Sequence, residues 1–295
     1  MNTDVKKGLD SVDIFVCVHP CSSVAKKSVF TIESFCSVAM LIPMKPTHLV
    51  LFDIDGTLIS TKRAAWEPPF CESIEEAWKE EAEFLNSSTH EVSKVRTNVE
   101  RYRPGGKTDT QIIFELLEGT SLTEENIFKL LPAIRKKYLG RLRKVLADPA
   151  VVEIKPGIEE LLTELSRRPE VVLSLLTGNF EEGARIKLGV PKIDQYFKFE
   201  TGAFGDFAKQ RQELPARAVA AAKERLGLDF LGKNIVIIGD TPNDVRCGRH
   251  LNVRTIAVAT SNYSMEDLNK ENPDYLFQNL TETDKVVSAI LEPLT

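Results

Sequence analysis

The sequence has no apolar run near the roughly 20 residues that a membrane-spanning helix needs. It has no basic excess either, because 38 lysines and arginines stand against 43 aspartates and glutamates, for a net charge of -5. A surface with this balance offers no general attraction for the phosphates of nucleic acid. The chain is therefore predicted to bind neither a membrane nor nucleic acid.

Cysteine is scarce as well. The five cysteines are odd in number and have no repeating spacing, which favours free thiols in a reducing compartment over a disulfide framework. This predicts a cytoplasmic protein, with organelle targeting by an N-terminal extension left open. The rest of the composition, 42% hydrophobic and 27% charged, is that of an ordinary globular protein with one large domain or two modest ones.

Residues 1–45 hold three of the five cysteines and show no helical or strand period, so they are predicted to form a disordered extension. Cys17, His19 and Cys21 have the spacing of half a metal site, but no second pair of ligands follows. Acidic residues and the lack of arginine argue against a transit peptide. Met44, just before the first predicted strand, is an alternative start of translation.

The most informative stretch begins with four apolar residues, Leu49 to Phe52, which predict a buried parallel strand. Asp53 and Asp55 follow directly, at the end of the strand where open α/β sheets bind ligands. Two neighbouring carboxylates repel each other, and a hard cation would relieve that repulsion. Gly56 permits a sharp turn and Thr57 adds a hydroxyl. The alternative is an Asp-rich turn without a ligand.

The remainder of the chain divides into a helical part and an alternating part. Helical spacing is seen over 70–85, 91–102, 111–118 and 124–146, without a strand signal. After residue 156 strands alternate with helices: strands are predicted over 171–176, 196–200, 235–238, 255–258 and 275–277, and helices over 157–168, 181–188, 214–226 and 284–291. This alternation predicts a doubly wound parallel sheet. The predicted domains are a core of 46–63 and 152–295 and an inserted all-α cap of 64–151.

Polar residues follow three of these strands. They are the two acids after the first strand, Thr177-Gly178-Asn179 after the second, and the run Gly239-Asp240-Thr241-Pro242-Asn243-Asp244. The ends of parallel strands share one edge, so these groups are expected to converge there. A helix start after Asn179 would favour an anion such as phosphate. Ordinary turns and a capped helix start remain the alternatives.

These motifs resemble those of the haloacid dehalogenase superfamily, most closely phosphoglycolate-phosphatase-like members with a helical cap. The resemblance lies in Asp53-Ile54-Asp55-Gly56-Thr57, in Thr177 after a hydrophobic strand, and in Gly239-Asp240-Thr241-Pro242-Asn243-Asp244. It spans about residues 46–290 and implies an α/β, Rossmann-like core. The third motif is usually a lysine, and here Lys209 and Arg211 both stand near the start of a helix. Arg211 is favoured because some similar subfamilies place an arginine there.

The resemblance implies a Mg²⁺-dependent phosphatase that acts through an aspartyl-phosphate. Asp53 would be the nucleophile and Asp55 the general acid–base. Mg²⁺ would bind the Asp53 carboxylate, the Asp55 carbonyl and Asp240, with Asp244 orienting that shell. Phosphate would be held by residues at the second and third motifs: Thr177, Gly178, Asn179 and Arg211.

The predicted cap carries a loop with Arg103, Lys107, Thr108 and Asp109, and Lys107 is a candidate contact for the substrate's leaving group. A cationic loop suits a small phosphorylated metabolite such as phosphoglycolate, whereas an ordinary capped turn is the alternative. A monomer or homodimer is expected. Two other functions stay open: a phosphomutase resembling the β-phosphoglucomutase branch, and a non-catalytic binding protein with the same fold.

Overall fold

The structure is a computed structural model that describes residues 45–62, 66–85, 87, 89–102, 105–206 and 208–293, with the backbone alone at 100 and 101. Several expectations therefore lie outside the described residues. They are the predicted extension up to residue 44, the Cys17, His19 and Cys21 cluster, the alternative start at Met44, and Arg103 in the loop of the predicted cap.

A parallel sheet of five strands forms the centre of the described chain. The strands are β1 (His48–Phe52), β4 (Val171–Leu175), β5 (Ile235–Gly239), β6 (Arg254–Val258) and β7 (Tyr275–Phe277). Their order in the sheet is β4-β1-β5-β6-β7. β1 lies between β4 and β5 and pairs in parallel with both. The predicted parallel α/β fold is confirmed.

Side chains of β1 alternate between two apolar clusters, one on each face of the sheet. Val50 and Phe52 belong to a cluster that includes residues of α5 (Ile158–Ser166) and α10 (Thr283–Leu291). Leu49 and Leu51 belong to a second cluster, which includes α7 (Leu214–Leu226). Since successive residues of a strand point to opposite faces, continuous apolar strands need helices on both sides. The sheet is doubly wound, as predicted.

Four helices between β1 and β4 have an apolar cluster of their own. They are α1 (Glu67–Glu81), α2 (Lys94–Arg101), α3 (Asp109–Leu116) and α4 (Glu124–Val145). Phe70 and Tyr138 meet in this cluster with ring centroids 4.2 Å apart, and Phe180 of the core joins it. Across the described ranges, no helix combines the length and the apolar sequence that crossing a membrane requires.

A short antiparallel ribbon was not predicted. It joins β2 (Ile59–Thr61) to β3 (Val152–Ile154), with Ile59 opposite Ile154. The two strands precede and follow the helices α1 to α4, which together form the helical segment. The ribbon therefore brings the two connections to this segment side by side. Three-residue strands are too short to show an alternating pattern, so neither strand was predictable from sequence.

The strand predicted over 196–200 is wrong. Two short 3-10 turns, Asp194–Tyr196 and Phe199–Thr201, take its place. Phe197 and Phe199 are both buried in the core, so their alternation reflects burial of aromatic rings rather than a strand backbone. Three further helices of the core are α6 (Glu181–Gly189), α8 (Pro242–Cys247) and α9 (Met265–Asn269).

Candidate active site

The carboxyl ends of β4, β1 and β5 open into one cavity of about 770 Å³. From β1 the chain passes to β4 on one side and later to β5 on the other, and ligands of such sheets bind at this change of direction. The cavity is lined by eight of the residues proposed from the sequence to act on a substrate or metal: Asp53, Asp55, Lys107, Thr177, Gly178, Asn179, Arg211 and Asp240.

Three buried carboxylates form the centre of the site. Ligand atoms of Asp53, Asp240 and Asp244 lie within 4.8 Å of one another. Burial, opposed by Arg211 and reinforced by Asp244, raises the pKa of Asp53 to about 6. Burial and the neighbouring carboxylates of Asp244 and Asp53 raise the pKa of Asp240 to about 8. Buried carboxylates this close together fit a hard divalent cation, which prefers oxygen ligands. The side chain of Asp55, unlike that of Asp244, lies outside this cluster.

Gly56 allows the loop after β1 to approach Asp240. Its φ is +94°, a conformation that other residues rarely adopt, and a Cβ there would lie 2.3 Å from Oδ2 of Asp240. The next residue, Thr57, donates its hydroxyl to Oδ1 of Asp240 at 2.8 Å, and Ser261 donates to the other oxygen. These contacts fix the Asp240 carboxylate beside Asp53.

Arg211 is the cation of this cluster. It is 3% exposed, its Nη2 lies 3.0 Å from Oδ1 of Asp53, and it also pairs with Asp244. Its Nε is buried and has no hydrogen-bond partner within the described protein. A buried N–H without an acceptor is costly, and an oxygen of a bound anion would supply one. Lys209, the alternative from the sequence, pairs instead with Glu124 at 2.8 Å and lies over the ring of Phe114.

Lys187 completes the site, although no role was predicted for it from sequence. This lysine of α6 is 4% exposed, and its Nζ donates to Oδ2 of Asp55 at 2.6 Å and to Oδ1 of Asn179 at 2.7 Å. Burial alone would raise the pKa of Asp55, but the Lys187 ammonium and hydrogen bonds bring it below its usual value. Helical phase is a partial signal, because Lys187 falls three and four residues after the buried Ala184 and Gly183, which indicates a buried lysine but not its partner.

The start of α6 differs from the expected phosphate site. Two of its backbone N–H groups already have carboxylate partners: Phe180 donates to Asp109 at 2.8 Å, and Glu181 donates to Asp206 at 2.7 Å. The start of a helix favours an anion, and at these two N–H groups the carboxylates of Asp109 and Asp206 take the place expected for a phosphate. Upstream, the Asn179 amide donates to Oγ1 of Thr177 at 2.9 Å.

Lys107 lies at the cavity but is already paired. Its Nζ donates to Glu115 at 2.5 Å and stands 4.6 Å from the centre of the Tyr102 ring. The Lys107 carbonyl passes so close to Gly178 that a Cβ there would lie 1.9 Å from it. Glycine at position 178 therefore lets this loop cross the end of β4. Because Glu115 neutralises Lys107, the expected cationic loop is weaker than the sequence indicates.

The sequence places this protein among known hydrolases, and its fold is shared with a known hydrolase. The chain belongs to the haloacid dehalogenase-like hydrolase family, whose sequence model matches residues 47–252. This confirms the family resemblance seen in the sequence.

Individual relatives are distant. The chain is 27% identical over 246 residues to a protein of Caldanaerobacter subterraneus named "Putative pyrophosphatase PpaX", covering 81% of this chain and 93% of that one. It is 22% identical over 249 residues to the phosphoglycolate phosphatase of Colwellia psychrerythraea, covering 81% and 96%. The crystal structure of a hydrolase from Pseudomonas syringae superposes with a TM-score of 0.52 at 19% identity, covering 83% and 100%. The last similarity shows a shared fold.

Proposed function

We propose that this protein is a Mg²⁺-dependent phosphatase that hydrolyses a small phosphomonoester through an aspartyl-phosphate. The observation that carries the proposal is the cluster of Asp53, Asp240 and Asp244 around Arg211, whose buried Nε lacks an acceptor. A divalent cation matches the carboxylates and a phosphate oxygen matches the N–H group. The name of the Colwellia relative supports phosphoglycolate as a first substrate to test.

Asp53 attacks phosphorus in this mechanism, and the bond from phosphorus to the leaving oxygen breaks as the bond to Asp53 forms. Arg211 already contacts the Asp53 carboxylate and can direct its free N–H to a phosphoryl oxygen. Charge is spread over the equatorial oxygens in the transition state, so a fixed guanidinium stabilises it. Thr177 offers its hydroxyl at the same edge.

Asp55 carries the proton in both steps. It first gives a proton to the leaving oxygen and then takes one from the water that attacks the aspartyl-phosphate. Its carboxylate lines the cavity two residues after Asp53, so one short loop presents both acids. Hydrolysis of the aspartyl-phosphate frees phosphate and restores Asp53.

The residues present fit Mg²⁺. The Asp53 carboxylate, the Asp55 carbonyl and Asp240 would hold it, and Asp244, which accepts bonds from Thr241 and Arg211, would fix the surroundings. Bound Mg²⁺ would offset negative charge on the phosphoryl oxygens. The four helices α1 to α4 would act as a cap over the cavity that excludes water from the reaction.

The test is phosphate release from p-nitrophenyl phosphate, phosphoglycolate and a panel of sugar phosphates, with and without Mg²⁺. Asp53→Asn should lower activity by orders of magnitude because the nucleophile is lost, whereas Asp229→Asn, an exposed control, should not. Equal activity of Asp53→Asn and wild type would overturn the mechanism. An isomeric sugar phosphate in place of free phosphate would indicate a mutase, and Mg²⁺ binding without turnover would indicate a binding protein.

A further inference from the structure

We infer that Lys187 is a positioning residue for Asp55: together with Asn179 it holds one carboxylate oxygen, so that the other oxygen faces the leaving group. The inference rests on the proposed function, in which Asp55 is the general acid. It adds a residue that lies outside the recognised motifs, in the second half of a helix of which the sequence suggested a role only for the start.

Three hydrogen bonds form a closed triangle around the carboxylate. Lys187 donates to Oδ2 of Asp55 at 2.6 Å and to Oδ1 of Asn179 at 2.7 Å. Asn179 in turn donates its amide to the same Oδ2 of Asp55, at 2.7 Å. Because the lysine also holds the amide oxygen, it fixes which way the Asn179 side chain points as well as the acid itself.

The two oxygens of Asp55 have different surroundings. Oδ2 accepts both strong bonds, whereas the contact of Oδ1 with the hydroxyl of Thr61 is long, at 3.5 Å. An interaction of that length holds an atom weakly. Oδ1 is therefore the oxygen that can carry a proton to a substrate without breaking the triangle.

Lys187 occupies a position where a neutral residue would ordinarily be favoured. It lies on the buried face of α6, and taking an ammonium out of water is costly unless it is paired and hydrogen-bonded. The start of α6 is itself fixed to the helical segment through Phe180 and Asp109. The ammonium is thus delivered to Asp55 from a helix anchored at its start.

If Lys187 positions Asp55, removing the lysine should lower kcat/KM by a factor that depends on the leaving group of the substrate. An aliphatic alcohol is a very weak acid and must be protonated as it leaves, whereas nitrophenolate is a stable anion and departs without a proton. If Lys187 acts through the Asp55 proton, removing it harms alkyl phosphates and largely spares p-nitrophenyl phosphate. General structural damage would harm both alike, because Asp53 and Arg211 serve every substrate.

The experiment compares wild type with Lys187→Met, Lys187→Gln and the exposed control Lys198→Met. The quantity is kcat/KM, which covers only the steps up to departure of the alcohol and so excludes the later hydrolysis. Substrates are p-nitrophenyl phosphate and the alkyl phosphate that wild type cleaves fastest. Thermal unfolding of each variant reports whether the fold is retained.

For Lys187→Met we expect about a 100-fold loss of kcat/KM on the alkyl phosphate, within the range of general acid catalysis, and a few-fold loss on p-nitrophenyl phosphate. Lys187→Gln, which keeps an N–H donor, should recover part of the loss, and Lys198→Met should match wild type. Equal losses on both substrates in a folded Lys187→Gln protein would overturn the inference, as would no loss. A wild type inactive on every substrate would overturn the proposed function instead, and the inference with it.

Discussion

Asp109 shows how one carboxyl of the helical segment is used by the core. It is 6% exposed and accepts the backbone N–H of Phe180 at 2.8 Å, just before α6. Burial raises its pKa to about 7, although Lys187 and the Phe180 bond oppose the shift. The neutral acid is therefore the form that the folded protein prefers over much of the acidic range.

The stability of the protein should record this titration. With a pKa raised from 3.8 to about 7, Asp109 binds a proton more tightly in the folded state. Its contribution to the free energy of unfolding is fully present below pH 3.8, the ordinary pKa, and is lost as the pH rises through about 7, the pKa in the folded state. Asp109→Asn keeps an acceptor for Phe180 but does not titrate. The free energy of unfolding of wild type relative to Asp109→Asn should therefore fall between about pH 4 and about pH 7.

Urea unfolding at several pH values measures this difference. Asp229→Asn, at an exposed site, serves as the control and should give a difference from wild type that is nearly independent of pH. A constant difference between wild type and Asp109→Asn would show that Asp109 is ionised throughout. A difference that grows with pH would show that folding lowers the pKa of Asp109 instead of raising it.

Individual site residues were predictable where they directly follow an apolar strand. Asp53 and Asp240 do so, Thr177 lies two residues after the end of β4, and the shared edge of a parallel sheet brings all three together without further information. Lys187 was missed because it lies inside a helix and its partner Asp55 is 132 positions earlier. Nothing local to either residue indicates that contact.

At the scale of whole elements, the start of α3 links the helical segment to the core loops through three hydrogen bonds. Thr108 and Thr110 donate their hydroxyls to the carbonyls of Ala208 and Gly205, both at 2.6 Å. Between them, the backbone of Asp109 donates to the Gly178 carbonyl at 2.7 Å. Three consecutive residues thus fix this helix start against two loops that border the cavity.

Removing one of these bonds should loosen that attachment. Thr110→Val has nearly the same shape but no hydroxyl, so the buried carbonyl of Gly205 loses its donor, at a cost of about 1–3 kcal/mol. We expect lower stability in urea and faster hydrogen exchange in α3. Thr97→Val, on the exposed surface of α2, is the matched control and should change neither. Unchanged exchange in α3 would show that the Thr110 bond does not hold the helix.

Element boundaries followed from sequence where periodicity had room to show. α7 was predicted over 214–226 and is observed over the same residues, because its apolar face repeats over more than three turns. The ribbon of β2 and β3 has no such length, and the turns at 194–201 imitate a strand because aromatic residues at alternate positions are buried. In both cases tertiary packing, and not local sequence, determines the backbone conformation.

Charge is unevenly distributed over the molecule as a whole. The net charge is modest, yet the cavity concentrates Asp53, Asp240 and Asp244 around a single guanidinium. Without a cation the folded state bears repulsion between these groups, and burial together with the carboxylates of Asp244 and Asp53 raises the pKa of Asp240. A divalent cation that binds the folded state and not the unfolded state would relieve the repulsion and stabilise the entire domain.

Asp240→Asn should therefore have opposite effects with and without metal. Without Mg²⁺ and above pH 8, where Asp240 is ionised, the neutral amide removes repulsion while its oxygen still accepts from Thr57, so Tm should equal or exceed that of wild type. With Mg²⁺ at 100 times its Kd, wild type should gain about 2.7 kcal/mol, whereas the variant should gain little. Thermal unfolding over a Mg²⁺ series measures both effects, with Asp229→Asn as the control. An equal Mg²⁺ response in Asp240→Asn and wild type would remove Asp240 from the metal site, and a lower Tm without metal would show that its hydrogen bonds outweigh the repulsion.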